Sequence, residues 1–315
     1  MEKGKIIVVM GGTSTEAEIS RQTGNAVLEA LRSKGYDADG MELKPQSFAK
    51  EISKSGCAIV FNALHGKFGE DGLLQGTLDM LGIPYTGSGV LAAAVTMDKA
   101  ATKRVLLAEN LPTPRSVTYR RSDYNKCDLT EEIEGSFNMP VVVKASSQGS
   151  SIGVSIVEHA EDLRCALDDA FTYDDEVLVE EFIKGRELTA AVWGHAGDAE
   201  AFPLIEITTK SGRYDYESKY TKGASTHLVP APLPEALTKE IQDIAVKTYT
   251  ACGCDGTARV DLMLSEDGKP YVIEVNSVPG MTATSLVPDA GRAMGVEFPE
   301  LCEHMLELAG YPVRK

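Results

Sequence analysis

The sequence predicts an α/β protein that begins on a parallel sheet and continues into two α+β units. Two continuous apolar runs carry the first part of that expectation, "KIIVVM" at 5–10 and "CAIVFNAL" at 57–64. Each leads through a glycine-rich turn into a helical pattern, as in βαβ units whose strands are buried on both faces. The second part rests on the strand-like segments that crowd the chain after residue 113, with one strong helical pattern among them.

In chain order, "KIIVVM" is bounded by Gly11-Gly12 and reads as a buried strand. Ile19 to Leu31 reads as a helix packing through Val27, Leu28 and Leu31. "DADGMEL" is a weaker strand because Gly40 brings no side chain to its face. "CAIVFNAL" and the helix "GLLQGTLDML" complete a first domain, residues 1–96. The helix "TMDKAATKRVLLAEN" then stops at Leu111-Pro112-Thr113-Pro114, since proline cannot continue a helix. Strands "PRSVTYR", "PVVVKAS", "GVSIVE" and "EVLVEEF", with the helix "AEDLRCALDDAF", make a second unit over 97–185. Longer strands, "ELTAAVW", "AFPLIEI", "TARVDLML" and "PYVIEVN", make a third over 186–315. Residues 208–229 are polar and aperiodic, and a loop of that length reads as a functional lid or a disordered segment.

The chain carries 31 Lys+Arg against 47 Asp+Glu, a formal net charge of −16. That balance disfavours non-specific binding to nucleic acid or anionic membranes, while leaving room for a local basic site. The six cysteines are scattered, with neither zinc spacing nor a redox C-x-x-C, and read as reduced cytoplasmic thiols. No stretch approaches the ~20 apolar residues of a membrane span, and the opening apolar run is too short for a signal peptide.

Several segments interrupt this pattern with chemistry. In "YVIEVN", Glu274 and Asn276 lie two apart and share a strand face. In "ARVDLML", Arg259 and Asp261 do the same. Two such strands side by side would gather oxygen ligands suited to a hard divalent cation; the other reading is a buried ion pair with Asn276 opening a turn. "VVVKASSQGSSIG" ends an apolar strand on Lys144 and enters a loop of small residues, either an anion-binding nest over Gly149–Ser151 or a flexible hairpin. It is no Walker A loop, which would need G-K-[ST] entering a helix. In "GGTSTEAEIS", Glu16 and Glu18 oppose phosphate at a helix start, and helix capping leads over capture of an ammonium. His65, in "NALHGKFGEDGLLQG", sits at a strand-to-helix turn, where α/β folds hold ligands, and equally suits a backbone hydrogen bond. "VLVEEFIKGRELT" offers Glu180, Phe182, Ile183 and Glu187 around a turn, either an adenosine edge or an acidic surface.

Taken in order, "LHGKFGEDGLLQG", "PYTGSGVLAAAVTMDK", "VVVKASSQGSSIGV", "YDYESKY", "ARVDLML" and "EVNSVPGMTATSLVP" resemble the D-alanine–D-alanine ligases of the ATP-grasp superfamily, from Gly11 nearly to the C-terminus. The resemblance implies a three-domain ATP-grasp fold whose N-terminal domain is a Rossmann-like parallel sheet. It further implies joining of two D-alanine molecules through an acyl phosphate, for peptidoglycan precursor synthesis in the cytoplasm, by a homodimer. By motif position, Asp261, Glu274 and Asn276 would hold two Mg²⁺ or Mn²⁺ ions on ATP. Lys99, Lys144 and Lys219 would meet phosphates, with the Gly149, Ser150, Ser151 loop above them. Glu180, Phe182, Ile183, Glu187 and Met263 would line the adenosine site.

Carried over in the same way, Glu16 would receive the first substrate's ammonium, and His65 would lie near its carboxylate. Ser285 and Leu286 would bind the second substrate's carboxylate. Arg259 and the Gly280 N–H would stabilise the tetrahedral oxyanion. Glu16, Ser150 and Tyr220 match a triad that latches the lid. Tyr220 favours the dipeptide over D-alanyl-D-lactate, the product of a related class. Gln148 and Phe182 depart from the commoner family residues at their positions. The alternatives are that depsipeptide ligase, or an ATP-binding protein of this fold without catalysis.

Overall fold

Among the described residues three separate sheets organise the chain. The computed structural model describes residues 4–124, 126, 128–209, 225–282 and 285–310. The first sheet contains β1 (Lys5–Met10), β2 (Ala38–Glu42) and β3 (Cys57–Asn62), parallel in the order β2-β1-β3. An isolated parallel bridge from Val60 to Tyr85 extends it. β1 and β3 are apolar on both faces because both are covered, while β2 keeps only Ala38 buried. One face meets α2 (Phe48–Lys54) and α3 (Leu73–Leu81) through Ile7, Val9, Val60, Ile52 and Leu78. The other face meets α1 (Ala17–Ser33), whose Val27, Leu28 and Leu31 are buried as their spacing predicts.

That second core also takes in the end of the chain. Leu286, Val287 and Ala290 of α10 (Leu286–Ala293), with Leu301, Met305 and Leu306 of α11 (Phe298–Leu308), join Ile6, Val8 and Phe61 in one apolar cluster. The parallel sheet and the C-terminal helices are therefore buried together.

A second, antiparallel sheet has the order β4-β7-β5-β6, from β4 (Ser116–Arg120), β5 (Val141–Ala145), β6 (Val154–Val157) and β7 (Glu176–Glu181). The turn-like α6 (Arg121–Tyr124) follows β4, and α7 (Thr130–Ser136) and α8 (Leu163–Tyr173) contribute Ile133, Leu167 and Phe171 to one face of the sheet. The third sheet runs β11-β10-β8-β12-β13, with β9 paired to β8. Its strands are β8 (Gly185–Gly194), β9 (Glu200–Ala201), β10 (Ile205–Thr209), β11 (Ser225–Leu228), β12 (Gly256–Ser265) and β13 (Pro270–Asn276). On it lies α9 (Glu235–Ala251), which has no counterpart among the sequence expectations. Its Ile241, Ala245, Thr248 and Tyr249 are buried at helical spacing, the signal that marks such a helix.

Two segments differ from expectation in instructive ways. The helix expected over 96–110 is two helices, α4 (Val90–Met97) and α5 (Lys99–Ala108). They meet at Asp98, whose extended backbone ends one helix and whose side chain caps the next by accepting from Ala101 N at 2.9 Å. "AFPLIEI" is likewise split into β9 and β10, with Pro203, which has no N–H to give a ladder, between them. Of the expected lid over 208–229, Thr208 and Thr209 pair with Thr226 and Ser225 at the ends of β10 and β11, and 210–224 lie outside the described residues. Among the described residues no helix is long and apolar enough to cross a membrane.

Candidate active site

The acidic strand face forms as its alternation requires. On β12, Ala258, Val260, Leu262 and Leu264 are buried in the core below the sheet, which leaves Arg259, Asp261 and Met263 on the other face. On β13, Val272 and Val275 are both buried, although an odd separation would put them on opposite faces. A bulge resolves this. Asp261 pairs with Glu274 but Leu262 pairs with Val272, so Ile273 is the extra residue. The bulge lets Val272 stay in the core while re-aiming Glu274 and Asn276 beside Asp261 and Arg259.

Arg259 is bidentate to Asp261, Nε to Oδ1 at 2.8 Å and Nη2 to Oδ2 at 2.7 Å. Thr189 Oγ1 donates to Asp261 Oδ1 at 2.5 Å, and Asn276 Oδ1 accepts from Val278 N at 3.0 Å. Both readings of this face thus have substance, since an ion pair is present within an all-oxygen ligand set.

Lys99, first residue of α5, reaches the same face, its Nζ 3.7 Å from Glu274 Oε2 and 2.5 Å from Gln148 O. Its placement comes from a clasp between α5 and the end of β5. Asp98 accepts from Ser146 Oγ at 2.8 Å, and Lys99 N donates to Ser146 O at 3.0 Å. Beyond Ser146 the chain turns through Ser150 and Ser151, both left-handed at φ 51° and 60°. Such backbone is costly for residues other than glycine and concentrates at functional loops. Ser150 Oγ donates to Glu16 Oε1. The approach is so close that a Cβ on Gly149 would lie 2.8 Å from Glu16 Oε2, and one on Gly66 2.9 Å from it.

Behind Glu16, His65 and Glu70 are buried. Burial pulls the His65 imidazole below its ordinary pKa, against the attraction of Glu16. Its Nε2 is hydrogen-bonded with Thr23 Oγ1 at 3.0 Å, and the Val278 backbone, like Glu16, favours the charged ring. Burial, then the neighbouring Glu16, raises the Glu70 carboxyl well above the carboxylate range, although Gly66 N donates to it at 2.8 Å. Ser285 stands in extended backbone just before α10 and makes no side-chain cap bond to it; its Oγ accepts instead from Thr282 N at 3.0 Å.

One cavity of about 230 Å³ is lined by Glu16 and His65 from the first sheet's turns, Lys99 from α5, Gly149 and Ser150 from the loop after β5, and Arg259, Glu274 and Asn276 from β12 and β13. Gly280, Ser285 and Leu286 close it. Asp261 joins through Arg259. The expected adenosine residues lie apart from this cavity: Glu187 and Met263 are register partners on β8 and β12, and Phe182 and Ile183 follow β7. Lys144 and Glu180 form a buried ion pair on one face of the second sheet, with Lys103 of α5 2.8 Å from Glu180 Oε2. Tyr220 and Lys219 lie outside the described residues. The sequence reading assigned no role to Lys103, and gave Glu70 none within its motif. Each is buried with charged neighbours, a feature that only tertiary packing reveals.

A metal pair and a nucleotide have a matching donor set here. Two carboxylates and an amide suit Mg²⁺, which completes its shell with water and substrate phosphates rather than a full protein cage. Among the described residues no group of three or more His, Cys, Asp or Glu is placed to hold a metal by itself.

Two antiparallel sheets, one followed by a small-residue loop and the other with an oxygen-rich strand face, both lining one cavity with Lys99, make this chain an ATP-grasp protein. Comparison with known proteins narrows that class. Family profiles described as D-ala D-ala ligase N-terminus and C-terminus match residues 38–88 and 105–307. The chain belongs to the D-alanine–D-alanine ligase family. It is 47% identical over 308 residues to the D-alanine–D-alanine ligase of Pelotomaculum thermopropionicum, covering 97% of this chain and 96% of the relative. With the ligase of Desulforudis audaxviator it shares 48% over 306 residues, 97% and 98% of the two chains. Among solved structures, the Bacillus anthracis D-alanine–D-alanine ligase complexed with ATP superimposes with a TM-score of 0.84 at 34% identity over 97% of each chain. The VanG D-Ala:D-Ser ligase of Enterococcus faecalis gives 0.85 at 30% identity, over 98% of this chain and all of that one.

Proposed function

We propose that this chain joins two D-alanine molecules into D-alanyl-D-alanine at the expense of ATP, supplying a precursor for peptidoglycan in the cytoplasm. The observation that carries this reading is one cavity lined together by an ammonium acceptor, Glu16, by Arg259 and by Ser285 and Leu286 at the start of α10. Its volume of about 230 Å³ falls below the roughly 300–1,000 Å³ of pockets for drug-sized ligands and suits small substrates.

The chemistry follows from charge. The carboxylate of the first D-alanine attacks the γ-phosphorus of ATP, ADP leaves, and an acyl phosphate forms. The amine of the second D-alanine then attacks the carbonyl carbon, and inorganic phosphate departs with the former carboxylate oxygen. Glu16 holds the first ammonium, while neutral His65 lies near the first carboxylate without adding charge. Ser285 Oγ and the Leu286 N–H, at a helix start, take the second carboxylate. Arg259 and the Gly280 N–H face the oxygen that becomes anionic in the tetrahedral intermediate. Lys99, Lys144 and Lys219 offset repulsion between substrate carboxylate and phosphate. Two Mg²⁺ or Mn²⁺ ions, held by Asp261, Glu274 and Asn276, would neutralise the phosphate oxygens. Orientation and charge neutralisation, rather than a protein nucleophile, lower the barrier. The Ser150–Glu16 contact supports a latch that keeps water from the acyl phosphate; the family motif would add Tyr220 to it, a residue outside the described ones.

Support for a homodimer comes from apolar side chains left exposed on α3 and α4, with Met80 90% and Leu91 77% accessible. The described cysteines are free thiols, as a cytoplasmic setting requires.

The deciding experiment measures ADP release with ATP and Mg²⁺ in the presence of D-alanine, L-alanine, D-alanine plus D-lactate, or D-alanine plus D-serine, with mass spectrometry of the products. D-alanyl-D-alanine as the main product, with L-alanine inert, is expected. A mixed product with D-lactate or D-serine that exceeds the dipeptide would reassign the second substrate. ATP binding without turnover in every mixture would make the chain a silent member of the fold.

A further inference from the structure

Glu180 sits in the second sheet facing two ammonium groups, one more than a carboxylate needs. It is 1% exposed, and register sets it beside Val142, so Lys144 lies diagonally along the same face. Lys103, 3% exposed, approaches from α5. The two lysines are held differently. Around Lys103 Nζ stand Pro114 O at 2.8 Å, Thr113 Oγ1 at 3.0 Å and Glu180 Oε2 at 2.8 Å, the last an ion-pair contact off hydrogen-bond alignment. Thr113 Oγ1 spends its own proton on Val272 O at 2.9 Å, so it accepts from Lys103. Two hydrogen bonds and one ion-pair contact fix Lys103 in the fold. Lys144 instead meets Glu180 at the end of β5, where the strand enters the small-residue loop.

We infer that Lys103 is a positioning residue, a fixed counter-ion that keeps Glu180 charged and compensated so that Lys144 can transfer its ammonium to a nucleotide phosphate. This rests on the reading of Lys144 as a phosphate ligand. Without Lys103, moving Lys144 to a phosphate would strand a buried carboxylate, and Glu180 would have to take up a proton as ATP binds. The charged groups facing Glu180 among the described residues are Lys103 from α5 and Lys144 from β5; β4 brings Ser116 opposite it. Burial pushes the Glu180 carboxyl up, but the two ammoniums, Lys144 and then Lys103, together hold it below its ordinary range.

The test uses the full-length protein and ATP, with calorimetric titration in buffers of different ionisation enthalpy to count protons taken up. K144M is expected to weaken ATP binding about tenfold while leaving adenosine binding unchanged; unchanged ATP affinity would overturn the phosphate reading of Lys144 and this inference with it. Given the expected K144M result, K103M tests Lys103 alone. It is expected to bind ATP with uptake of about one extra proton relative to wild type and with an ATP KM that rises from pH 6 to pH 8. The KM for D-alanine should stay within about twofold, and K103R, which keeps the charge, should behave as wild type. A folded K103M that loses affinity without extra proton uptake, or keeps the wild-type ATP KM, would overturn the inference and leave Lys144 in place. Should K103M fail to fold, K103M/E180Q is expected to fold and match E180Q in ATP KM, because the carboxylate that needed Lys103 is gone. Failure of that match would likewise overturn it.

Discussion

Glu274 shows how much of this site depends on single atoms. It lies within reach of Lys99 and next to Asp261, on the face a divalent cation would share with ATP. Glu274→Gln keeps the size and removes the charge, so turnover is expected to fall by at least about 10²–10³-fold with an unchanged circular-dichroism spectrum; near wild-type turnover would remove Glu274 from the metal-binding set. Glu70 presents the opposite case, a carboxyl raised well above its ordinary value near 4.5 by burial and by Glu16. Between the unfolded and folded pKa values the folded state binds the extra proton, so stability drops as pH rises through that window. Glu70→Gln can still accept from Gly66 N without needing that proton. It should raise Tm at pH 7–8, with the gain vanishing as pH approaches 4.5; a gain that is the same at both pH values would contradict the assignment.

Among the elements, the junction of α4 and α5 has the clearest consequence for function. Asp98 ends one helix, caps the next and clasps Ser146, and Lys99 follows immediately. Asp98→Ala removes the cap and leaves the Ser146 hydroxyl without that acceptor, a loss of about 1–2 kcal/mol measurable by denaturant unfolding. The KM for ATP should rise with it because Lys99 loses its anchored backbone, and a stability loss with unchanged KM would mean that the clasp does not position Lys99. The β13 bulge acts similarly on the acidic face. It separates a buried Val272 from a cleft-facing Glu274, an arrangement plain alternation forbids.

For the whole molecule, the shared core of β1, β3, α1, α10 and α11 means that the start and end of the chain are stabilised together. Leu306 is fully buried there, and Leu306→Ala should cost about 2–5 kcal/mol. Hydrogen exchange is the informative readout, since protection should fall in β1 as well as in α11; loss confined to α11 would show that the two ends open independently. The same packing brings Ser285 and Leu286 to the cavity that Glu16 enters from the opposite end of the sequence.

By itself the sequence determined the periodicities and the local chemistry: the apolar parallel strands, the alternation that put Arg259, Asp261 and Met263 on one face, and the motif order that marks the family. These follow from side-chain pattern and spacing, which are local properties of a chain. The contact of Glu16 with Ser150, 134 residues apart, was legible only through the family resemblance, and only tertiary structure decided that Ile273 is a bulge. It alone raised Glu70 and ringed Lys103 with oxygens. Burial, register shifts and long-range charge pairing arise when distant segments share one interior, and no local window of sequence contains both partners.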